Sequence, residues 1–127
     1  MINIDKDGTI FLYQGDSGDI VVYGLDKEKS YTVCFEIQDD KRNPIGEELQ
    51  VSVSNSDSVT FVLTPAYTDL LTVPKNKPYK IYFYGIKACV NDSITEDTLF
   101  ISNGTYGDLN RIIVYPRKVK GIENGTK

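Results

Sequence analysis

The N-terminal residues come nearest to a metal-binding pattern. Asn3, Asp5, Asp7, Gly8 and Gln14 fall at the first, third, fifth, sixth and twelfth positions of a calcium-binding EF-hand loop. Asn and Gln at the first and twelfth positions carry no charge, so the loop has less negative charge to hold Ca²⁺. Residues 9–13 also show the alternating pattern of a strand, whereas an EF-hand continues its ligand loop there. Since turns use the same residue types as such loops, we predict a β-turn without a metal.

Other carboxylates follow the same logic. Asp16, Asp19 and Asp108 lie in glycine-containing loops that the sequence predicts at turns. If two or three of them met at one end of a domain they could hold Ca²⁺, which keeps a calcium-dependent adhesion domain as a third reading. The acidic pairs at 39–40 and 47–48 lie on a predicted hairpin, and because adjacent strand residues point to opposite faces they do not form a hydrolytic pair.

Nucleophilic catalysis has little support. The chain contains no histidine, which removes the commonest general base and the commonest metal ligand. Ser17 therefore has no imidazole to activate it, and neither a phosphate-binding loop nor a dinucleotide fingerprint is present. We predict that the chain is not an enzyme and binds no cofactor.

Charge and hydropathy exclude two further classes. A net charge of −4 does not suit a nucleic-acid binder, which needs clustered Lys and Arg. No stretch approaches the ~20 apolar residues of a membrane span. The first residues also lack the pattern of a secretion signal, so we expect synthesis in the cytoplasm.

The two cysteines leave two readings open. The separation of Cys34 and Cys89 is similar to that of the inter-sheet bridge of immunoglobulin domains. The chain has no Trp to pack on such a bridge, and Cys34 alternates out of phase with Val33, Phe35 and Ile37. We expect two thiols, whereas a bridge would favour an extracellular module.

The elements that position these residues are short strands. Tyr31, Val33, Phe35 and Ile37 alternate with polar residues and predict one buried face. Thr64 and Pro65 predict the start of a short helix over residues 65–71. Strands are predicted at 9–14, 20–23, 30–38, 45–53, 59–63, 79–88, 99–101 and 111–119.

The fold class is all-β, a two-sheet antiparallel β-sandwich, immunoglobulin-like or jelly-roll-like, of about eight strands. Residues 1–127 are one domain, with frayed ends near 1–7 and 120–127.

The strand at 79–88 is apolar on both faces, and the last strand carries further apolar residues. We predict that Tyr82, Tyr84 and Ile86 face outward and, with Ile113 and Tyr115, contact other proteins. Tyr82, Tyr84, Tyr106 and Tyr115 would alternatively form a platform for carbohydrate. That alternative is an extracellular carbohydrate-binding or immunoglobulin-like module.

The order of these features resembles a known family. The segments that carry the likeness are residues 14–20, with a Gly-Asp-Ser step, residues 31–39, residues 59–71, with the Thr-Pro-x-x-Thr-x-x-Leu helix, and the Tyr-rich residues 79–84. They resemble small β-sandwich virion proteins of tailed phages and prophages, in particular the N-terminal domains of baseplate proteins that carry receptor-binding proteins.

The resemblance implies assembly without catalysis or cofactor, in a baseplate, a tail or a capsid decoration. Its implied partners are other virion proteins and copies of the chain, with neither nucleic acid nor membrane bound. The implied location is the virion, after synthesis in the cytoplasm of the bacterial host.

Overall fold

A computed structural model of the chain describes residues 2–91, 94, 96–99 and 110–117. These residues contain one short helix, α1 (Pro65–Thr68), and nine strands. The strands are β1 (Asn3–Ile4), β2 (Ile10–Tyr13), β3 (Gly18–Tyr23), β4 (Ser30–Gln38), β5 (Pro44–Ser54), β6 (Ser58–Leu63), β7 (Lys80–Val90), β8 (Glu96–Leu99) and β9 (Asn110–Tyr115).

Two sheets of unequal width form the sandwich. The large sheet has the order β1-β2-β9-β7-β4-β5, with β8 also paired to β7, and the small sheet consists of β3 and β6. All pairings are antiparallel except β2 with β9, which is parallel. The predicted all-β sandwich is therefore confirmed.

The core lies between the two sheets. Phe35 of β4 occupies its centre, with its ring 5.4 Å from Phe61 of the small sheet and 5.3 Å from Tyr84. The predicted inward face of β4 is confirmed, because every second side chain from Tyr31 to Ile37 is buried. Other buried side chains are Ile10, Leu12, Ile112 and Val114 of the large sheet and Ile20, Val22, Val59 and Leu63 of the small sheet.

The predicted orientation of β7 is wrong. Tyr82, Tyr84 and Ile86 are buried rather than outward. The reason is the register with β4, which places Ile86 opposite Phe35 and Tyr84 opposite Ile37, so that these pairs share the inward face.

The two tyrosines are buried because their hydroxyls find acceptors. Tyr82 donates to the carbonyl oxygen of Thr72 and Tyr84 to that of Gly8, each at 2.6 Å. A buried phenol that has a hydrogen-bond partner avoids most of the cost of losing water. Burial, with the Asp7 charge as a smaller cause, raises the pKa of Tyr84 well above its ordinary value.

Several element boundaries differ from the sequence prediction. β9 lies between β2 and β7 and ends at Tyr115, just before Pro116, whereas the predicted strand extends to residue 119. β1, within the expected frayed end 1–7, pairs in register with β2. Helix α1 starts as predicted at the Thr64 cap and Pro65, but ends at Thr68.

Candidate functional site

The outer surface of the large sheet divides into two chemically different halves. Over β2, β9 and the first half of β7 the outward side chains are almost all apolar. We call this half the tyrosine face; it consists of Phe11, Tyr13, Tyr79, Ile81, Phe83, Ile113 and Tyr115. Each is half-buried or exposed, although the inward neighbours on the same strands are buried.

Strand pairing brings these residues together from distant parts of the sequence. Ile113 lies between Phe11 on one side and Ile81 on the other, and Tyr115 lies beside Tyr13. Directly paired residues on one face are within side-chain contact distance. The parallel pairing of β2 with β9 therefore makes a continuous apolar surface from residues about 100 positions apart.

Three tyrosines form one end of this surface. The ring centroid of Tyr115 lies 5.4 Å from that of Tyr13 and 6.4 Å from that of Tyr79. Tyr13 is 37% exposed and Tyr79 is 45% exposed. Such rings offer apolar area together with a hydroxyl, which is the combination that is enriched at protein interfaces.

A groove of about 520 Å³ adjoins the tyrosine face. Its apolar lining residues are Pro74, Pro78, Tyr79, Ile81 and Phe83. Its charged lining residues are Asp40, Lys77 and Lys80. The groove thus combines an apolar lining with a few charged side chains.

The other half of the outer surface is polar. Thr32 and Glu36 of β4 alternate there with the core residues, and Gln50 and Ser52 of β5 face the same side. Thr32 and Ser52 are hydrogen-bonded through their hydroxyls at 3.5 Å, and Gln38 donates to Glu36 at 2.9 Å. This half has the composition of an ordinary solvated sheet face.

Charged residues lie at the border of the tyrosine face. Arg111 of β9 is exposed and lies opposite Phe83 of the neighbouring strand β7. Asp7 lies in the turn between β1 and β2, where its carboxylate accepts a hydrogen bond from the backbone N–H of Thr9 at 3.0 Å. That hydrogen bond lowers the pKa of Asp7, and the charge of Arg111 adds to the effect.

A second charged contact fixes one end of the surface. Arg117 follows β9 and forms an ion pair with Asp69 at 2.6 Å, and Gln14 donates to the Asp69 carbonyl oxygen at 2.9 Å. The segment after α1 is thereby attached to the ends of β2 and β9. Since both ionic groups are partly exposed, the ion pair positions the chain more than it stabilises it.

The predicted contact residues fall into two groups. Ile113 and Tyr115 lie on the outer surface, whereas Tyr82, Tyr84 and Ile86 belong to the core. The carbohydrate platform that included Tyr82 and Tyr84 is therefore not formed as predicted. Tyr106 and Asp108 lie outside the described residues.

Sequence reasoning missed Phe11, Tyr13 and Tyr79. The alternation of 10–13 does place Phe11 and Tyr13 on one face, but which strand lies beside β2 is not visible from local pattern. Tyr79 precedes β7 and has the same parity as Ile81 and Phe83. A correct assignment of the two faces of β7 would have placed Tyr79 on the same outward face as Ile81 and Phe83.

The N-terminal calcium-like spacing forms a hairpin turn, as predicted. Asp5 accepts a backbone hydrogen bond from Gly8 and donates one to Thr9, and Asn3 belongs to a strand. Among the described residues, no cluster of three acidic, cysteine or histidine side chains could hold a metal ion. Asp39 instead caps its own loop by accepting the backbone N–H groups of Lys41 and Asn43 at 2.9 Å.

The two cysteines are thiols, and their placement differs from an inter-sheet bridge. Cys34 is paired with Lys87 and Cys89 with Thr32, which makes the two cysteines diagonal neighbours on the outer face of one sheet. Diagonal neighbours are about 7–8 Å apart at Cα, beyond the usual range for a disulfide. The immunoglobulin-type bridge is absent.

Comparison with known proteins supports the fold. No family model matches the chain, and no curated protein sequence matches it. The crystal structure of the periplasmic chaperone SfaE is similar with a TM-score of 0.61 at 10% sequence identity, over 89% of this chain. The likeness spans 56% of the SfaE chain, and at this identity it shows the fold alone.

Within the described part of this chain, no helix has the length and apolarity to cross a membrane.

Proposed function

We propose that this chain is a non-enzymatic assembly protein that binds other proteins through the tyrosine face. The observation that carries the proposal is the contrast between the two halves of one sheet surface. A sheet face that only meets water is polar along its whole length, as the β4–β5 half is. The half over β2, β9 and β7 instead exposes a contiguous apolar surface, which is typical of an interaction site.

The residue types of the tyrosine face suit a protein partner. Interfaces are enriched in aromatic residues, and a few well-packed aromatic anchors supply most of the binding energy. Tyr13, Tyr79 and Tyr115 are such candidates, since their rings already support one another. Phe11 and Ile113 then form the apolar centre, and Arg111 lies at the polar border.

The resemblance to phage virion proteins gives this activity a setting. We propose a structural role in a tailed-phage particle, as part of a baseplate, a tail or a capsid decoration. The partners are copies of the chain and neighbouring virion proteins, and the chain uses no cofactor. Repeated copies would make many weak contacts act together, because linked sites bind with an increased effective concentration.

Light scattering on the purified protein tests the role of the tyrosine face. We expect a wild-type mass above that of the monomer, and a lower mass for the double variant Tyr13→Ser, Tyr115→Ser. The matched control is Val62→Ser, because Val62 is 60% exposed on the small sheet and outside the tyrosine face. A double variant that keeps the wild-type mass, with an unchanged circular dichroism spectrum, contradicts the proposal.

A carbohydrate-binding module is the second candidate. It is favoured by the row of Tyr13, Tyr115 and Tyr79 beside the groove, because aromatic planes with nearby polar groups are able to stack on sugar rings. Screening against a panel of polysaccharides and oligosaccharides distinguishes the two. Retention that the double tyrosine variant abolishes would favour the sugar-binding function over assembly.

A further inference from the structure

The small sheet has an edge that differs from both edges of the large sheet. At one edge of the large sheet β1 is only two residues long. At the other, β5 begins with Pro44 and carries Glu47 and Glu48, and the β4–β5 register shifts between Phe35 and Ile37. Short strands, Pro, charges and irregular register all discourage pairing with another strand.

Both strands of the small sheet are edge strands, and β3 is neither short nor irregular and carries a single charged residue, Asp19. Its six residues pair with β6 in an unbroken register from Gly18–Leu63 to Tyr23–Ser58. It contains no Pro or Lys, and among the described residues no other strand pairs with it. Within the part of the chain that the structure describes, β3 is therefore a regular strand with one side open to a further strand.

The hydrogen bonds at the end of the β3–β6 pair show which backbone groups point to that open side. The Gly24 N–H donates to the Asp57 carbonyl oxygen at 3.0 Å, so these opposite residues are a hydrogen-bonded pair. The backbone N–H and C=O of Ser58 are both engaged by the Ser56 hydroxyl, which agrees with a non-hydrogen-bonded pair at Tyr23–Ser58.

Because hydrogen-bonded and non-hydrogen-bonded pairs alternate along an antiparallel pair, the direction of the other backbone groups of β3 follows. Gly18, Ile20 and Val22 direct their backbone groups to β6, and their positions are those of the inward side chains. Asp19, Val21 and Tyr23 direct their N–H and C=O groups to the open edge. Within the described part of the chain, no backbone hydrogen bond from a turn, loop or helix cap engages Asp19, Val21 or Tyr23.

We propose that β3 pairs antiparallel with β3 of a second copy, about a two-fold axis at Val21. In this register each Val21 faces the Val21 of the other copy as a hydrogen-bonded pair. Asp19 of each copy faces Tyr23 of the other, again as a hydrogen-bonded pair. The three open N–H groups and three open C=O groups of each strand are then all satisfied.

The side chains fit the same register. Tyr23 is 70% exposed, and its hydroxyl comes beside the carboxylate of Asp19 of the second copy, which can accept a hydrogen bond from it. On the inward face Ile20 comes beside Val22, so the apolar row of the core continues across the axis. The two small sheets become one four-stranded sheet, β6-β3-β3-β6, which removes two open edges.

This self-association goes beyond the proposed function and does not depend on it, because it uses the small sheet and leaves the tyrosine face uncovered. The test is the solution mass of Val21→Lys compared with Val62→Lys. Val21 lies on the axis, where two ammonium groups would face each other. Val62 lies on the outward face of β6, opposite Asp19 and separated from the second copy by the full width of β3. We expect Val21→Lys to abolish the β3-mediated dimer, whereas the Val62→Lys protein should still form it. The two variants should have equal melting temperatures.

Disulfide trapping tests the register itself. In a Cys34→Ser, Cys89→Ser background, Val21→Cys places two cysteines about 5.5 Å apart at Cα, within disulfide range. We expect a covalent dimer on mild oxidation. The matched variant Asp19→Cys places its two cysteines about 14 Å apart, four residues out of register, and should stay uncrosslinked.

Three outcomes overturn the proposal. The first is a wild-type protein that stays monomeric at high concentration while Val21→Cys remains uncrosslinked. The second is a Val21→Lys variant with the mass of the wild type. The third is equal crosslinking by Val21→Cys and Asp19→Cys, which would indicate random collisions or another register.

Discussion

The hydroxyl of Tyr84 donates a hydrogen bond to the carbonyl oxygen of Gly8 at 2.6 Å, although the two residues are 76 positions apart. This contact connects β7 to the turn before β2. It also explains why β7 turns its tyrosines inward, because the polar end of the ring has an acceptor inside the sandwich. The opposite face of β7 is left to Ile81 and Phe83, and they become part of the tyrosine face.

Removing this hydroxyl should destabilise the fold. We expect Tyr84→Phe to lower the free energy of unfolding by about 1–3 kcal/mol, because the Gly8 carbonyl loses its partner in a buried position. Urea unfolding measures the change. The control Tyr23→Phe removes a hydroxyl from a ring that is 70% exposed and should have little effect on the monomer. Equal stability of Tyr84→Phe and wild type would contradict the role of this contact.

Alkaline pH should weaken the fold through the buried phenols. Burial raises the pKa of Tyr67 to about 12, with a smaller contribution from Glu36, and raises that of Tyr84 further. Both folded-state values exceed the ordinary value of 10.0, so the stabilisation is complete below about pH 10 and is lost as the pH rises above it. Unfolding measured between pH 8 and about pH 11 should show this loss, and the double variant Tyr67→Phe, Tyr84→Phe should show a smaller one.

Gly46 should tolerate substitution poorly. Its φ is +72°, and a Cβ there would lie 2.9 Å from Cδ1 of Leu70 and 3.2 Å from Cε1 of Tyr67. We expect Gly46→Ala to lower the melting temperature by several degrees, since roughly 1 kcal/mol corresponds to a few degrees in a domain of this size. Gly24→Ala is the control, because φ is +106° but a Cβ would meet open space. If the two variants melted alike, backbone strain alone would explain the loss and the contact with Leu70 would be irrelevant.

Reductant should not change the stability of the protein. Cys34 and Cys89 are diagonal neighbours on one sheet rather than partners across the core. We therefore expect the same melting temperature with and without reductant, and full labelling of both thiols after unfolding. A melting temperature that falls on reduction would indicate a bridge that this arrangement of strands does not provide.

Most of the fold follows from local sequence pattern. The alternation in β4 predicts both its bounds and its buried face, and Thr64 with Pro65 predicts the start of α1. These features depend on backbone periodicity and capping, which act over a few residues. The turn at Asp5–Gly8 follows for the same reason.

The candidate site could be predicted only in part. Ile113 and Tyr115 are on the surface as expected, but β7 is apolar on both faces, and periodicity alone cannot choose which face is inward. That choice depends on the register with β4 and on the acceptors for Tyr82 and Tyr84, which come from distant segments. The parallel pairing of β2 with β9 is equally non-local, and it brings Tyr13 to Tyr115.

The most direct measurement is the solution mass, by light scattering over a range of concentrations, of four proteins. These are the wild type, the double variant Tyr13→Ser, Tyr115→Ser, the variant Val21→Lys, and the combination of all three substitutions. If the tyrosine face is an assembly surface, the double tyrosine variant should fall to the β3-mediated dimer and the combination to a monomer. If the double tyrosine variant keeps the wild-type mass at every concentration while remaining folded, the tyrosine face does not mediate assembly and the central claim is wrong.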